Sequence, residues 1–331
     1  MIETLYIEQA VLDHPRSVAI RQRFPHARVV TCERYGEVFN PKGQNFRLQK
    51  QRPALILARK HDHWVLEAPL GYNIGGRRNY YFSHMLNCIY DCRYCFLQGM
   101  YRSANYVLFV NYEDFHGAIE QRVAESDETT WFFSGYDCDS LALEPVTGFM
   151  QHTLPLFRNL DKARLELRTK STQIRSLLEM EAMPNCVVAF SLSPAVVAEA
   201  LEHKAAPLPK RLDALEKLQQ AGWPVGLRFD PLIYCDEYQR LYSDFFEQVF
   251  TRIDLDGLHS VSLGAFRMPQ GFYRNMVKLY PQEKLFAGPL AESQPMVSYE
   301  TQLEQEMLAF CREKLLQLMP EEKLFICQDD D

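Results

Sequence analysis

What is missing from this 331-residue sequence removes whole classes of protein. No Pro-, Gly- or Ser-rich or low-complexity tract interrupts it, which argues against long linkers and extended disorder. No apolar run approaches membrane-spanning length, so no membrane contact is expected. The opening residues, MIETLYIEQAVLDHPRS, carry acids early and lack the basic segment and apolar stretch of a secretory signal. The expectation is a cytoplasmic protein, in which thiols stay reduced and clustered cysteines point to metal binding or catalysis. An excess of positive charge is absent too. A formal net charge of −7 argues against an indiscriminate nucleic-acid coat protein but leaves room for a local basic face.

What is present is an ordinary globular composition, 47% hydrophobic and 24% charged, long enough for a sizeable core. From about residue 112 onward, short β-rich runs alternate with helical patterns, the signature of βα units around a parallel sheet. The strands expected are Asn79–His84, Thr129–Gly135, Arg164–Lys170, Cys186–Ser193, Val225–Ile233 and Leu258–Arg267. Helices are expected over Pro207–Ala221, which spaces apolar residues three and four apart and stops at Gly222, over Glu237–Ile253, and over Tyr299–Leu318. Six such units predict an α/β fold, a partial (β/α)6 TIM-type barrel over residues 79–270. Residues 271–331 then form a C-terminal region with a closing helix. Residues 1–78 read as an N-terminal extension without βα alternation, containing a strand pair, Ala54–Ala58 with His63–Glu67. That extension carries a basic stretch, Arg47, Lys50, Arg52, Arg59 and Lys60, followed by Arg77 and Arg78. It is either a face for a phosphate backbone or ordinary solvated charge.

The strongest signal is Cys88-Ile89-Tyr90-Asp91-Cys92-Arg93-Tyr94-Cys95, a Cys-x3-Cys-x2-Cys array just after the first expected barrel strand. Three thiolates can hold three irons of a [4Fe–4S] cubane, leaving the fourth iron open to the amino and carboxylate groups of S-adenosylmethionine. A structural zinc site wants four protein ligands, and no fourth lies nearby, since His84 falls on the strand side. With Tyr94 directly before the last cysteine, the array resembles the signature of radical S-adenosylmethionine enzymes, in which an adenosyl radical abstracts hydrogen from substrate. Barrels of this kind bind ligands at the C-terminal ends of their strands, which makes Gly135, Lys170, Ser191 and Arg228 candidates to hold the nucleoside. Lys170 is a candidate for the methionine carboxylate, or an ordinary surface lysine. Ser191 is a candidate for ribose or carboxylate, or a cap on the next helix.

The motif, the flanking CysPheLeuGln at 95–98, ValAsnTyrGluAspPhe at 110–115 and ThrLys at 169–170 together resemble the spore photoproduct lyase family over about residues 80–318. PheSerLeuSer at 190–193 and PheArgMetPro at 266–269 add weaker matches. The resemblance implies repair of ultraviolet-induced thymine lesions in DNA, with a cysteine thiol returning a hydrogen atom at the end. It also implies damaged DNA as partner and an electron donor such as flavodoxin or ferredoxin.

Three departures accompany it. An ungapped alignment places Tyr136 at the thiol position, with Cys138 two residues further and on the same side of an extended segment, either as the thiol or as a packing cysteine. Phe96 stands where the family has a tyrosine that relays hydrogen together with the one matching Tyr94. The stretch LeuPheAlaGlyProLeuAlaGluSerGlnProMet, matching the family's basic hairpin, contains no Lys or Arg, leaving Arg267, Arg274 and the basic stretch as phosphate candidates. Two other readings follow: a radical enzyme on the same scaffold acting on a nucleotide, RNA or protein, and an iron–sulfur sensor or DNA-binding module without catalysis. Cys32, Cys186, Cys235, Cys311 and Cys327 are scattered singly and read as structural.

Overall fold

A computed structural model describes residues 2–39, 42–69 and 71–327. Its centre is an eight-stranded sheet in the order Leu324–Ile326, Leu258–Ala265, Val225–Leu232, Cys186–Ser191, Ala163–Thr169, Thr130–Ser134, Arg78–Phe82 and Leu66–Glu67. All pairings are parallel except the last. The inner six strands are those expected from sequence, and helices connect them as in a partial TIM-type barrel. The helices expected near 207–221, 237–253 and 299–318 form at Leu208–Gln220, Tyr238–Phe250 and Thr301–Leu316. Cys186–Ser191 is buried at every position, as a parallel strand covered on both faces must be.

Alternation along these strands sorts the core. Phe132, Leu165, Leu167, Val188, Phe190, Leu227 and Phe229 join the large cluster shared with the helices. Trp131, Phe133 and Val187 form a second, smaller cluster with Ile74. Each such side chain contributes about 1.5–3 kcal/mol of burial, so register in these strands is strongly fixed. The Thr301–Leu316 helix packs on the Tyr238–Phe250 helix and on Leu258–Ala265, then leads into Leu324–Ile326 at the sheet edge.

The N-terminal residues differ from the sequence-based expectation. Thr4–Glu8, the Pro15–Arg23 helix and Arg28–Cys32 make a parallel βαβ unit, so the alternation begins at the start of the chain. Leu55–Ala58 does not pair with Leu66–Glu67. It runs parallel to Thr4–Glu8 on one side and to Tyr106–Phe109 on the other, while Leu66–Glu67 pairs with Tyr80 and Tyr81 of the barrel. The physical reason is burial: Leu-Ile-Leu-Ala is covered throughout and has no solvent face for a two-stranded hairpin. This five-stranded sheet also recruits Met85–Leu86 and Tyr106–Phe109, strands from either side of the cysteine array. Both sheets therefore grip the segment that carries the cysteines.

Candidate active site

The cysteine segment is built by side chains that satisfy its own backbone. Asn87 adopts a positive φ of 72°. Its amide donates to the carbonyls of Ser103 (2.9 Å) and Asn105 (3.0 Å) and accepts from the Cys88 N–H (3.0 Å). Asparagine tolerates this conformation better than most residues, so it can turn the chain sharply into the array. Asp91–Cys92 then pairs antiparallel with Glu202–His203, the Arg93 N–H donates to the Leu201 carbonyl at 2.8 Å, and a turn from Cys92 to Cys95 leads into the short Leu97–Met100 helix.

Cys88, Cys92 and Cys95 open onto one cavity of ≈ 650 Å³, which Tyr94, Gly135, Tyr136, Cys138, Lys170 and Ser191 also line. Its size suits a nucleoside-containing ligand plus a second small molecule. Among the described residues no three His, Cys, Asp or Glu side chains converge on a single ion. A cubane does not ask for that, because each thiolate binds a different iron. Burial raises all three thiols above the usual range, so thiolates here need a nearby positive centre, which cluster iron provides. The donor set, the shared cavity and the lysine beside it fit a [4Fe–4S] cluster with S-adenosylmethionine.

Tyr94 is fixed from behind. Its hydroxyl donates to Glu202, which also accepts from Ser193 (3.2 Å) and from Arg211. Burial alone would raise the Glu202 carboxyl, but Lys170 and Arg211 hold it below its ordinary value, so it stays ionised. Arg211 continues to the Ser191 carbonyl at 3.0 Å, and Lys170 Nζ sits 5.4 Å from the centre of the Tyr94 ring. Asp139 ties the second strand's exit to the third: it accepts from the Thr169 hydroxyl and the Lys170 N–H, both at 2.7 Å, and from the N–H groups of Leu141 and Ala142. Gly135 has φ 91°, and a Cβ there would lie 2.6 Å from Ser140 Oγ and 2.9 Å from the Arg168 carbonyl. Only glycine fits this crossing.

Tyr136 and Cys138 both reach the cavity but differ in setting. Tyr136 belongs to an aromatic wall, its ring 4.5 Å from Tyr81, 5.6 Å from Tyr72 and 5.6 Å from Phe96. Cys138 is 7% exposed and accepts from the Met85 N–H. Burial, with Asp137 and Asp139 nearby, pushes its thiol well above the usual range and keeps it as S–H. The Asp137 N–H donates to Ser83 Oγ at 3.3 Å, and burial raises its carboxyl.

Arg228 is the candidate that the structure removes from the cavity. It is fully buried, folds back over Gly226, and bonds Glu166 (2.7 Å), Ser260 Oγ (2.9 Å) and the Ser260 carbonyl (3.0 Å). A Cβ at Gly226 would come within 2.7 Å of its Nη2, so the glycine two residues earlier directs the side chain away from the strand's C-terminal end. Arg168, not foreseen, takes a place at the cavity instead, above the Tyr72 ring at 4.4 Å and bonded to Glu166 at 2.9 Å.

The basic stretch does not form one face. Arg47 donates to the carbonyl of Leu279 at 2.7 Å, and Lys50 is buried against the cysteine segment. Arg52 faces Glu3 and Arg59 faces Asp114, each at 3.5 Å, and Lys60 lies over Phe109. Its residues fall on a helix, a turn and a strand exit, which disperses them. Arg267 does line the cavity, 3.8 Å from Asp230, while Arg274 lies 3.3 Å from Glu292 of the Leu290–Ser293/Met296–Tyr299 hairpin. Asp139, Glu202 and Arg168 are not legible in the sequence because Thr169, Tyr94 and Tyr72, which they meet, lie 30 or more residues away, and Arg211 matters through Glu202.

No described helix is long and apolar enough to cross a membrane. In solved structures the fold matches a spore photoproduct lyase variant with bound AdoMet and dinucleoside spore photoproduct, at TM-score 0.85 and 17% identity, covering 100% of this chain and 99% of that one. It also matches spore photoproduct lyase complexed with dinucleoside spore photoproduct, at TM-score 0.82 and 18% identity over 99% and 98% of the two chains. A curated relative, the spore photoproduct lyase of Bacillus subtilis (strain 168), is 25% identical over 293 residues, 86% of this chain and 83% of its own. The family model for spore photoproduct lyase matches residues 2–292, and the chain belongs to the spore photoproduct lyase family.

Proposed function

We propose that this chain is a radical S-adenosylmethionine lyase that reverses thymine photoproducts in DNA, with Cys88, Cys92 and Cys95 on the cluster and Cys138 as the hydrogen-atom donor. The observation that carries the reading is that three thiols, Lys170 and a fourth, buried thiol share one cavity. When bound, the cluster and S-adenosylmethionine supply a hydrogen-abstracting adenosyl radical.

The remaining work falls to the chain's own residues. Lys170 offers a cation for the methionine carboxylate, and Ser191 a hydroxyl in the same cavity. Tyr72, Tyr81, Phe96 and Tyr136 form a wall on which a flat base stacks, at about 1–3 kcal/mol per base. Arg267 stands at the cavity for a phosphate. Cys138 Sγ gives its hydrogen atom to a carbon radical on the product and becomes a thiyl radical. The raised thiol matters here, since a thiolate has no hydrogen atom to give. Phe96 has no hydroxyl, and the Tyr94 hydroxyl is engaged by Glu202, so hydrogen return to the thiyl follows a route without a tyrosine at 96.

One observation favours a substrate with few phosphates. The Leu290–Ser293/Met296–Tyr299 hairpin has no Lys or Arg, and its Glu292 faces Arg274. The test is anaerobic: reconstituted protein, dithionite, S-adenosylmethionine and either a dinucleotide or a duplex carrying the thymine photoproduct, with products separated by chromatography. Reversal to two thymines in the duplex supports the proposal, and reversal in the dinucleotide alone favours the substrate with few phosphates. If 5′-deoxyadenosine forms while both lesions persist, the substrate is wrong and the radical chemistry stands.

A further inference from the structure

Lysine is among the residues least often buried, and a buried one needs a reason. Lys50 lies on the Phe46–Gln51 helix, which begins where the Asn45 side chain accepts from the Leu48 N–H at 3.1 Å. It is 9% exposed. Its Nζ lies 3.1 Å from Gln98 Oε1 and 3.6 Å from Asp91 Oδ1, so it reaches the segment bearing Cys88, Cys92 and Cys95 without lining the cavity. Asp91 does not fully neutralise it. The same Oδ1 is 2.8 Å from Arg93 and accepts from the Tyr280 hydroxyl at 3.4 Å. Arg93 also faces Glu283 at 3.6 Å and stacks on Tyr280 at 3.7 Å. The closest partner of Lys50 is therefore a neutral amide. Burial lowers the Lys50 ammonium from its ordinary value, and Asp91 and, in their thiolate form, Cys88 and Cys95 act the other way and favour its charge.

The reduction potential of an iron–sulfur cluster depends on net charge, hydrogen bonding and solvent exposure around it, and a charge in a water-poor setting acts at longer range than one in solution. We infer that Lys50, a positioning residue contributed by the N-terminal sheet domain, holds a fixed positive charge behind the cysteine segment that raises the cluster's reduction potential and eases its one-electron reduction. The inference rests on the cluster reading above. It gives the N-terminal unit a role in the redox step, which is not evident from its distance in sequence.

The experiment is a redox titration of the full chain, anaerobically reconstituted and followed by optical and EPR spectra, with iron content measured alongside. Lys50→Met is expected to retain iron and shift the midpoint to more negative potential, while Lys50→Arg stays within error of the parent. An unmoved potential in Lys50→Met, or an equal shift in both variants, overturns the inference. If Lys50→Met does not hold iron, Lys50→Gln decides: a midpoint more negative than the parent's is expected, and an unmoved or more positive one overturns the inference. Parent protein that takes up no iron overturns the cluster reading and this inference with it; normal iron with unmoved potentials overturns this inference alone.

Discussion

Arg228 Nη2 and Glu166 Oε2 meet at 2.7 Å in the barrel, both side chains inaccessible to solvent. Burial would raise the Glu166 carboxyl, and the Arg228 and Arg168 guanidiniums override it, holding it at about 2. Removing one partner of such a pair leaves a buried charge uncompensated, at about 3–5 kcal/mol. Arg228→Met is expected to lose stability near the lower end of that range, because Arg168 remains on Glu166 at 2.9 Å. Adding Glu166→Gln should recover part of the loss. Urea denaturation measures both, and a selective loss of S-adenosylmethionine binding at full stability would return Arg228 to the cavity.

Lys170→Met tests the carboxylate cation. A hydrogen bond to a charged group is worth about 1.5–3 kcal/mol, so S-adenosylmethionine should bind about 10- to 100-fold more weakly, with iron content unchanged. Equilibrium binding to reconstituted protein measures this. Undiminished affinity would make Lys170 a bystander.

Cys138→Ala leaves the cysteine array and Lys170 untouched, so 5′-deoxyadenosine formation should persist. Correct thymine product should fall about tenfold or more, with adducts from the unquenched substrate radical appearing in its place. Mass analysis of the products distinguishes this from an unaltered product profile, which would assign hydrogen return to another group.

Glu144 caps the Phe149–Arg158 helix by accepting from the Met150 N–H at 3.1 Å, and it also accepts from Thr147 Oγ1 at 3.3 Å. Burial raises its carboxyl to about 7. The folded state therefore binds more protons than the unfolded chain between about pH 4.5 and 7, and this group's contribution falls as pH rises through that window. The full effect is about 3 kcal/mol at 1.36 kcal/mol per pH unit. His84 acts oppositely, since burial lowers its imidazole to about 3 and favours the folded state as pH rises. The isolating measurement is thus the stability difference between parent and Glu144→Gln at pH 5 and pH 7.5, which should swing toward the variant at the higher pH. A constant difference would remove Glu144 as the titrating group.

How much was legible depended on whether the signal was local. The inner barrel strands are apolar β-rich runs, and their bounds in the structure fall within a few residues of the expected ones. The Cys88–Cys95 spacing is a contiguous motif. The N-terminal βαβ unit has a local trace in the sequence, since His14 accepts from the Arg16 N–H and Pro15 opens the helix, a legible start signal. Glu202 and Arg211 were not readable, because their importance comes from a β-pairing to Asp91–Cys92 more than 100 residues away. Arg228 was misplaced for a subtler reason. Its position near a strand end was right, but Gly226 opens space in the opposite direction, and position alone does not tell which way a long side chain turns.

The pairing of Asp91–Cys92 with Glu202–His203 also has a consequence for biogenesis. On the ribosome, the cysteine array emerges long before its partner strand, and Arg211, which steadies Glu202, emerges later still. The array gains its last backbone partner only once residues 202–203 have been made, so its final fold is set after the fourth inner barrel strand.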